Sequence, residues 1–164
     1  MDFLSSPYFW LILSLVFILA YLRPRLKLRK EAKGDTFDAY QSIASGSLIR
    51  LGLLMGQGEV DLHTSNAEGL NPIMFAAKMD RFKALALLLR KADSTLIDAV
   101  DPQGKTALIH ACENGGVKSA ALLIKSGANQ RLTDKMGHSA QFYAAQKKNN
   151  KLLKLLEGDP IEKD

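Results

Sequence analysis

The sequence predicts an all-α protein: a solenoid of about three to four stacked helical hairpins behind a single N-terminal transmembrane helix. Three observations carry this reading. Residues 3–22 contain no charged side chain, and residues 23–33 hold six basic ones. From Gly69 onward a similar string of residues returns after 35 and then 33 positions.

In the apolar run only Ser5, Ser6, Pro7 and Ser14 interrupt aliphatic and aromatic side chains. Twenty helical residues rising about 1.5 Å each span about 30 Å, the thickness of a bilayer's hydrocarbon core. Tyr8, Trp10 and Tyr21 stand toward its ends, where amphipathic rings favour the headgroup boundary. A cleavable signal would carry positive charge ahead of the run and small residues behind it. Here Asp2 is the sole charge ahead, and Leu19-Ala20-Tyr21-Leu22 is a bulky exit. A buried core helix of this length would show an amphipathic face. Residues 1–22 are therefore expected to be a transmembrane anchor and residues 23–36 a basic juxtamembrane linker.

Arg23, Arg25, Lys27, Arg29, Lys30 and Lys33 face one acid, Glu31. Basic flanks resist translocation, so the N-terminus is expected outside and everything after Arg23 in the cytoplasm. Arg23, Arg25, Lys27, Arg29 and Lys30 are candidates for anionic lipid headgroups, each worth about 1 kcal/mol near the surface. The formal charge of the chain is +5; without residues 23–33 it has 16 basic and 16 acidic side chains. The excess is thus entirely juxtamembrane, and no nucleic-acid partner is implied for the remainder. A single cysteine, Cys112, excludes an intramolecular disulfide and suits a reducing compartment.

The repeats follow. Gly69 opens Gly-Leu-Asn-Pro-Ile-Met-Phe-Ala-Ala, Gly104 opens Gly-Lys-Thr-Ala-Leu-Ile-His-Ala-Cys, and Gly137 opens Gly-His-Ser-Ala-Gln-Phe-Tyr-Ala-Ala. A polar turn and a second, leucine-rich helix come after each, over 82–90, 117–125 and 151–157. Asn71, Thr106 and Ser139 can cap the inner helices, and Pro72 suits a first helical turn. Asp101 and Asp134, three residues before a glycine, favour a tight turn. Gly127 can end the outer helix in the left-handed conformation. Ala76, Ala77, Ala111, Ala144 and Ala145 let neighbouring helices approach closely. Two residues inserted within 94–100 account for the longer first interval.

These strings resemble the ankyrin repeat family, whose unit is a β-turn finger plus two antiparallel helices over about 33 residues. The middle copy matches best, with Asp101-Pro102-Gln103-Gly104, Thr106, Leu108, Ala111, Gly115, Leu123-Ile124 and Gly127-Ala128. The first copy keeps Pro72, Ala76-Ala77 and Leu88-Leu89; the last has Ser139, Ala144-Ala145 and Leu155-Leu156, with Gln141 where leucine is usual. The resemblance implies a repeat domain over 37–157. Its units are a degenerate capping repeat at 37–66, then 67–100, 101–133 and 134–157, and residues 158–164 form a tail.

No phosphate-binding glycine cluster, zinc-ligand spacing or nucleophile motif occurs. His110 and Cys112, two apart on one helix, point in different directions and are read as a partly exposed histidine beside a packed cysteine. The candidate surface is the concave side of fingers and inner helices, which the resemblance implies binds protein. On it are placed Glu68, Leu70, Phe75, Lys78 and Met79; Gln103, Lys105, His110, Glu113 and Asn114; and Met136, His138, Tyr143, Gln146 and Lys147. Phe75, Met79, Met136 and Tyr143 are expected to be exposed anchors. The sequence thus points to a non-catalytic, membrane-tethered adaptor with a protein partner, itself a membrane protein or complex, and no cofactor, metal or small-molecule substrate. A structural subunit of a larger membrane complex, or a periplasmic or secreted protein, are the competing readings.

Overall fold

The computed structural model describes residues 34–158. Among them are nine helices: α1 Gly34–Ser45, α2 Leu48–Gly56, α3 Pro72–Lys78, α4 Phe82–Leu89, α5 Ser94–Ile97, α6 Ala107–Glu113, α7 Val117–Lys125, α8 Ala140–Gln146 and α9 Asn150–Glu157. No strand occurs among the described residues; Thr133 and Ser139 form one isolated antiparallel bridge. No helix among them is long and apolar enough to cross a membrane. The expected anchor, linker residues 23–33 and headgroup-binding residues Arg23, Arg25, Lys27, Arg29 and Lys30 lie outside the described residues, as does the tail beyond Gly158; residues 34–36, expected to end the linker, instead open helix α1.

Residues 36–158 form one compact unit built as a stack of hairpins. Inner helices α3, α6 and α8 lie side by side, and outer helices α2, α4, α7 and α9 pack in a second row behind them. The inner helices are short because both ends are dictated. Two residues after each finger glycine, Asn71, Thr106 and Ser139 accept the N–H of Met74, Ile109 and Phe142 at 2.8, 3.3 and 3.3 Å. Nine residues after each cap the chain reverses through a left-handed residue: Asp80 at φ 48°, Gly115 at 77° and Lys148 at 52°. Asn149 then caps α9 through Leu152 N–H, and the outer helices α7 and α9 end at left-handed Gly127 and Gly158.

Burial follows repeat position. Ile73, Leu85, Leu88, Leu108, Leu123 and Leu152 are fully enclosed, with Ala76, Ala77 and Ala111 between the inner helices. Fully burying one such leucine or isoleucine contributes about 1.5–3 kcal/mol, and no single hairpin of a repeat stack can enclose its apolar face alone. Ala145 departs from its expected role and is exposed. Its counterparts Ala77 and Cys112 face a following unit, and none follows α8 and α9 among the described residues. Gln141 is exposed for the same reason, where Ile73 and Leu108 are enclosed.

Residues 94–100 are more than a lengthened loop. Asp93 accepts Leu96 N–H at 2.9 Å and starts the one-turn helix α5, which buries Leu96 and Ile97. Asp98 then accepts Asn129 N–H at 2.9 Å from the next unit. Similar cross-unit bonds recur at the turns. Arg81 donates to Ala44 O at 2.8 Å, Ser119 to Asp80 Oδ1 at 2.7 Å, and Asn149 to Gly115 O at 3.4 Å.

Candidate protein-interaction surface

Three fingers, at 66–70, 101–105 and 134–138, share one backbone solution. The first residue of each, Asn66, Asp101 or Asp134, pairs its N–H with the carbonyl four residues on at 2.9–3.0 Å. Its side-chain oxygen accepts the N–H groups two and four residues ahead at 2.8–3.0 Å. The glycine at the fourth position takes positive φ: 78° at Gly69, 81° at Gly104 and 81° at Gly137. Adjacent fingers are joined by a bond from Lys135 N–H to Gln103 O at 3.0 Å.

The fingers differ in what meets the second side-chain atom of that first residue. Asp101 Oδ2 lies 2.9 Å from His110 Nε2. Asp134 Oδ2 accepts the Tyr143 hydroxyl at 2.6 Å. Asn66 has Phe75 nine residues on, which offers no donor; Tyr40 packs edge-on against that ring at 5.2 Å and bonds Leu70 O at 2.7 Å. A buried carboxylate thus stands where a donor occurs nine residues later, and a neutral amide where none does.

This overturns two expectations. His110 is 4% exposed and Tyr143 8%, so neither is free to meet a partner. Both are the fourth residue of their inner helix and are spent holding the finger carboxylate. Leu70 is buried as well, and Phe75 is half-buried. The signal was available: an acid in a turn, nine residues before a donor, in a unit whose inner helix starts six residues after that acid.

The remaining positions do reach the surface. Lys78 bonds Glu68 at 2.6 Å, and Lys105 bonds Glu113 at 2.7 Å while its ammonium sits 4.9 Å from the Tyr143 ring centre. Asn114 is exposed and donates to His110 O. Met79 is 41% exposed and Met136 78%. His138 is half-buried and stacks on Phe142 at 3.9 Å with the rings nearly parallel, and Gln146 is exposed. Phe142, absent from the expected anchors, is itself 42% exposed, because its counterparts Met74 and Ile109 are covered by a following unit.

The polar groups carry shifted proton affinities. Burial lowers the pKa of His110, against the opposing pull of Asp101 and Glu113. Its Nδ1 has no hydrogen-bond partner and stands 3.8 Å from Glu113 Oε2, consistent with a neutral ring whose proton is on Nε2. Burial would raise Asp134, but the Tyr143 hydroxyl and two backbone N–H groups outweigh it and hold the carboxyl low. Asp134 in turn raises Tyr143. Burial pushes the Cys112 thiol up to about 12, which leaves no thiolate for nucleophilic chemistry near neutral pH.

The family model described as ankyrin repeats (3 copies) matches residues 40–134 and 94–164, more than half of the chain. The chain belongs to the ankyrin repeat family. Over 89 residues, 54% of its length, it is 38% identical to the B-cell lymphoma 3 protein homolog of Mus musculus. It spans only 19% of that protein's length. Ankyrin repeats are protein–protein interaction modules.

Proposed function

We propose that the chain is a non-catalytic ankyrin adaptor anchored in a membrane by residues 1–22, with its N-terminus outside and its repeats in the cytoplasm. The observation that carries the adaptor part is the state of the polar side chains. The buried ionisable groups of the fingers are consumed in holding the turns, and the outward-facing ones are spread along a surface without converging on a reactive centre. The anchor rests on the uncharged run 3–22 and the basic cluster behind it. Tethering raises the local concentration of the repeats near membrane partners, so a modest affinity suffices. The partner is accordingly a membrane protein or a protein recruited to one.

Topology is tested by fusing a compartment-sensitive reporter to the C-terminus and by carbonate extraction of membranes. The proposal expects cytoplasmic reporter activity and a carbonate-resistant chain. A carbonate-soluble chain removes the anchor, and a reporter active only outside inverts the orientation and favours the periplasmic or secreted reading. Gentle detergent purification separates adaptor from brace. An adaptor loses its partners on dilution, whereas a structural subunit keeps fixed stoichiometry.

A further inference from the structure

The outward surface is not uniform along the stack. At the seventh residue of the inner helix, Lys78 of α3 and Glu113 of α6 are each neutralised by a finger residue of opposite charge, Glu68 and Lys105. In the last unit that position is Gln146, and the finger offers Met136 and His138 in place of a charge partner. Residues 134–157 contain Lys135, Lys147, Lys148, Lys151 and Lys154 against Asp134 and Glu157. Asp134 is buried under the Tyr143 hydroxyl, which leaves Glu157 as the outward acid. Residues 34–66 are the reverse, with Arg50 alone against Asp35, Asp38, Glu59 and Asp61. A chain with a net charge of only +1 beyond residue 33 is therefore strongly polarised along its repeats.

The basic end also carries exposed apolar surface on the same finger and helix. Met136 is 78% exposed at the finger tip, two residues before His138, whose ring lies against Phe142. Lys135 flanks Met136, and Lys147 caps the far end of α8, a helix of seven residues or about 10 Å. An extended segment of a few residues could engage both lysines and cover Met136 and the Phe142 edge between them. Positive charge around methionine and aromatic surface selects for a segment that is acidic and carries an aliphatic or aromatic side chain.

We infer that the ridge from Lys135 and Met136 along α8 to Lys147 is the docking site for an acidic, apolar-containing segment of the protein partner. This deepens the adaptor reading and rests on it for the class of ligand, but it does not depend on the membrane anchor. A nucleic acid or an anionic lipid surface would use the lysines but has less use for Met136, and His138 already occupies one face of the Phe142 ring.

The test uses the full chain in neutral phosphatidylcholine nanodiscs and short fluorescein-labelled peptides, read by anisotropy. One peptide alternates glutamate with leucine and phenylalanine, a second replaces glutamate by lysine, and a third replaces the apolar residues by glycine. The first is expected to bind and the other two to bind at least about tenfold more weakly. Lys135→Glu with Lys147→Glu should weaken the first by about tenfold, and Met136→Ala by about threefold, whereas Lys118→Glu on the outer helix α7 should change nothing. Amide chemical-shift mapping should confine the response to residues 135–147. Equal binding of the lysine peptide, insensitivity to Met136→Ala, or a response centred on Glu68, Lys78 and Met79 overturns the inference while leaving an adaptor intact. Tighter binding to phosphatidylserine vesicles or single-stranded DNA than to the first peptide, abolished by the same lysine variants, overturns it in favour of those ligands. Absence of binding to any peptide overturns it too, and the co-purification experiment then decides the adaptor reading separately.

Discussion

The second and third fingers are the same turn closed by different donors: an imidazole on Asp101 and a phenol on Asp134. The first finger dispenses with both charge and donor, using Asn66 opposite Phe75. Comparing the three shows that the turn itself needs only one side-chain oxygen, which all three supply to the same pair of backbone N–H groups. The second oxygen is an added liability, because a buried carboxylate must be bonded on every side. Each acidic finger meets that demand from its own inner helix, so finger and helix become one electrostatic object.

Breaking one of these pairs from a single side has the largest expected effect. His110→Phe leaves the buried Asp101 carboxylate with an unmet oxygen and should destabilise by about 2–4 kcal/mol. Adding Asp101→Asn reproduces the first finger's solution and should recover more than half of that loss. Urea denaturation of the four members of this cycle gives the coupling directly. If the double variant is as unstable as the sum of the singles, the idea that charge and donor go together is wrong.

The glycines sharpen the comparison next. Gly104 and Gly137 share a φ of 81°, but only at Gly104 would a Cβ fall against the next finger, 2.9 Å from the Lys135 nitrogen. Nothing lies within 4 Å of a Cβ at Gly137. Gly137→Ala should therefore show the backbone penalty alone, about 1 kcal/mol, and Gly104→Ala about 2 kcal/mol or more. Equal thermal shifts for the two would mean that the fingers do not stack as tightly as the Lys135–Gln103 bond implies.

The hairpin stack was legible in the sequence because its determinants are local and periodic: the caps Asn71, Thr106 and Ser139, the finger glycines, and the leucines of α4, α7 and α9. The surface was less legible. His110 and Tyr143 look like outward residues by position, and it took the carboxylate nine residues earlier to turn them inward. Phe142 was missed for the opposite reason. It stands at an enclosed position, and only the lack of a following unit among the described residues exposes it. α5 escaped notice because one helical turn has no periodicity to read. Contacts between units, such as Ser119 with Asp80, depend on packing that no single repeat encodes.

The turns between inner and outer helices offer a milder comparison. Gly115 occupies a left-handed position without strain, whereas Asp80 and Lys148 adopt the same conformation with side chains. Lys148 is exposed, so Lys148→Gly should stabilise by up to about 1 kcal/mol. Asp80→Gly removes similar strain but also deprives the buried Ser119 hydroxyl of its acceptor, so the gain should vanish or reverse. Melting temperatures of the two variants, measured together, separate backbone relief from the cross-unit bond.

The two acidic fingers should also part company with pH, the smallest effect expected. Burial holds the folded-state pKa of His110 below its ordinary value, so the unfolded chain binds the extra proton more readily. The corresponding stability is complete above the ordinary histidine pKa, about 6.5, and falls as pH drops through that value toward the folded one. Glu113, 3.8 Å from the empty Nδ1, softens the fall by offering the new proton an acceptor, while Lys105 opposes it. Asp134 behaves differently. Its carboxyl is held low, so its contribution survives until pH falls through the ordinary aspartate range near 4, and Tyr143 does not titrate there. Melting temperature between pH 7.5 and 5 should therefore decline in the native chain and decline less in His110→Tyr with the Asp101 carboxylate retained, a direct copy of the third finger's arrangement. An unchanged slope in that variant would place the acid sensitivity elsewhere in the stack and remove His110 as the titrating group.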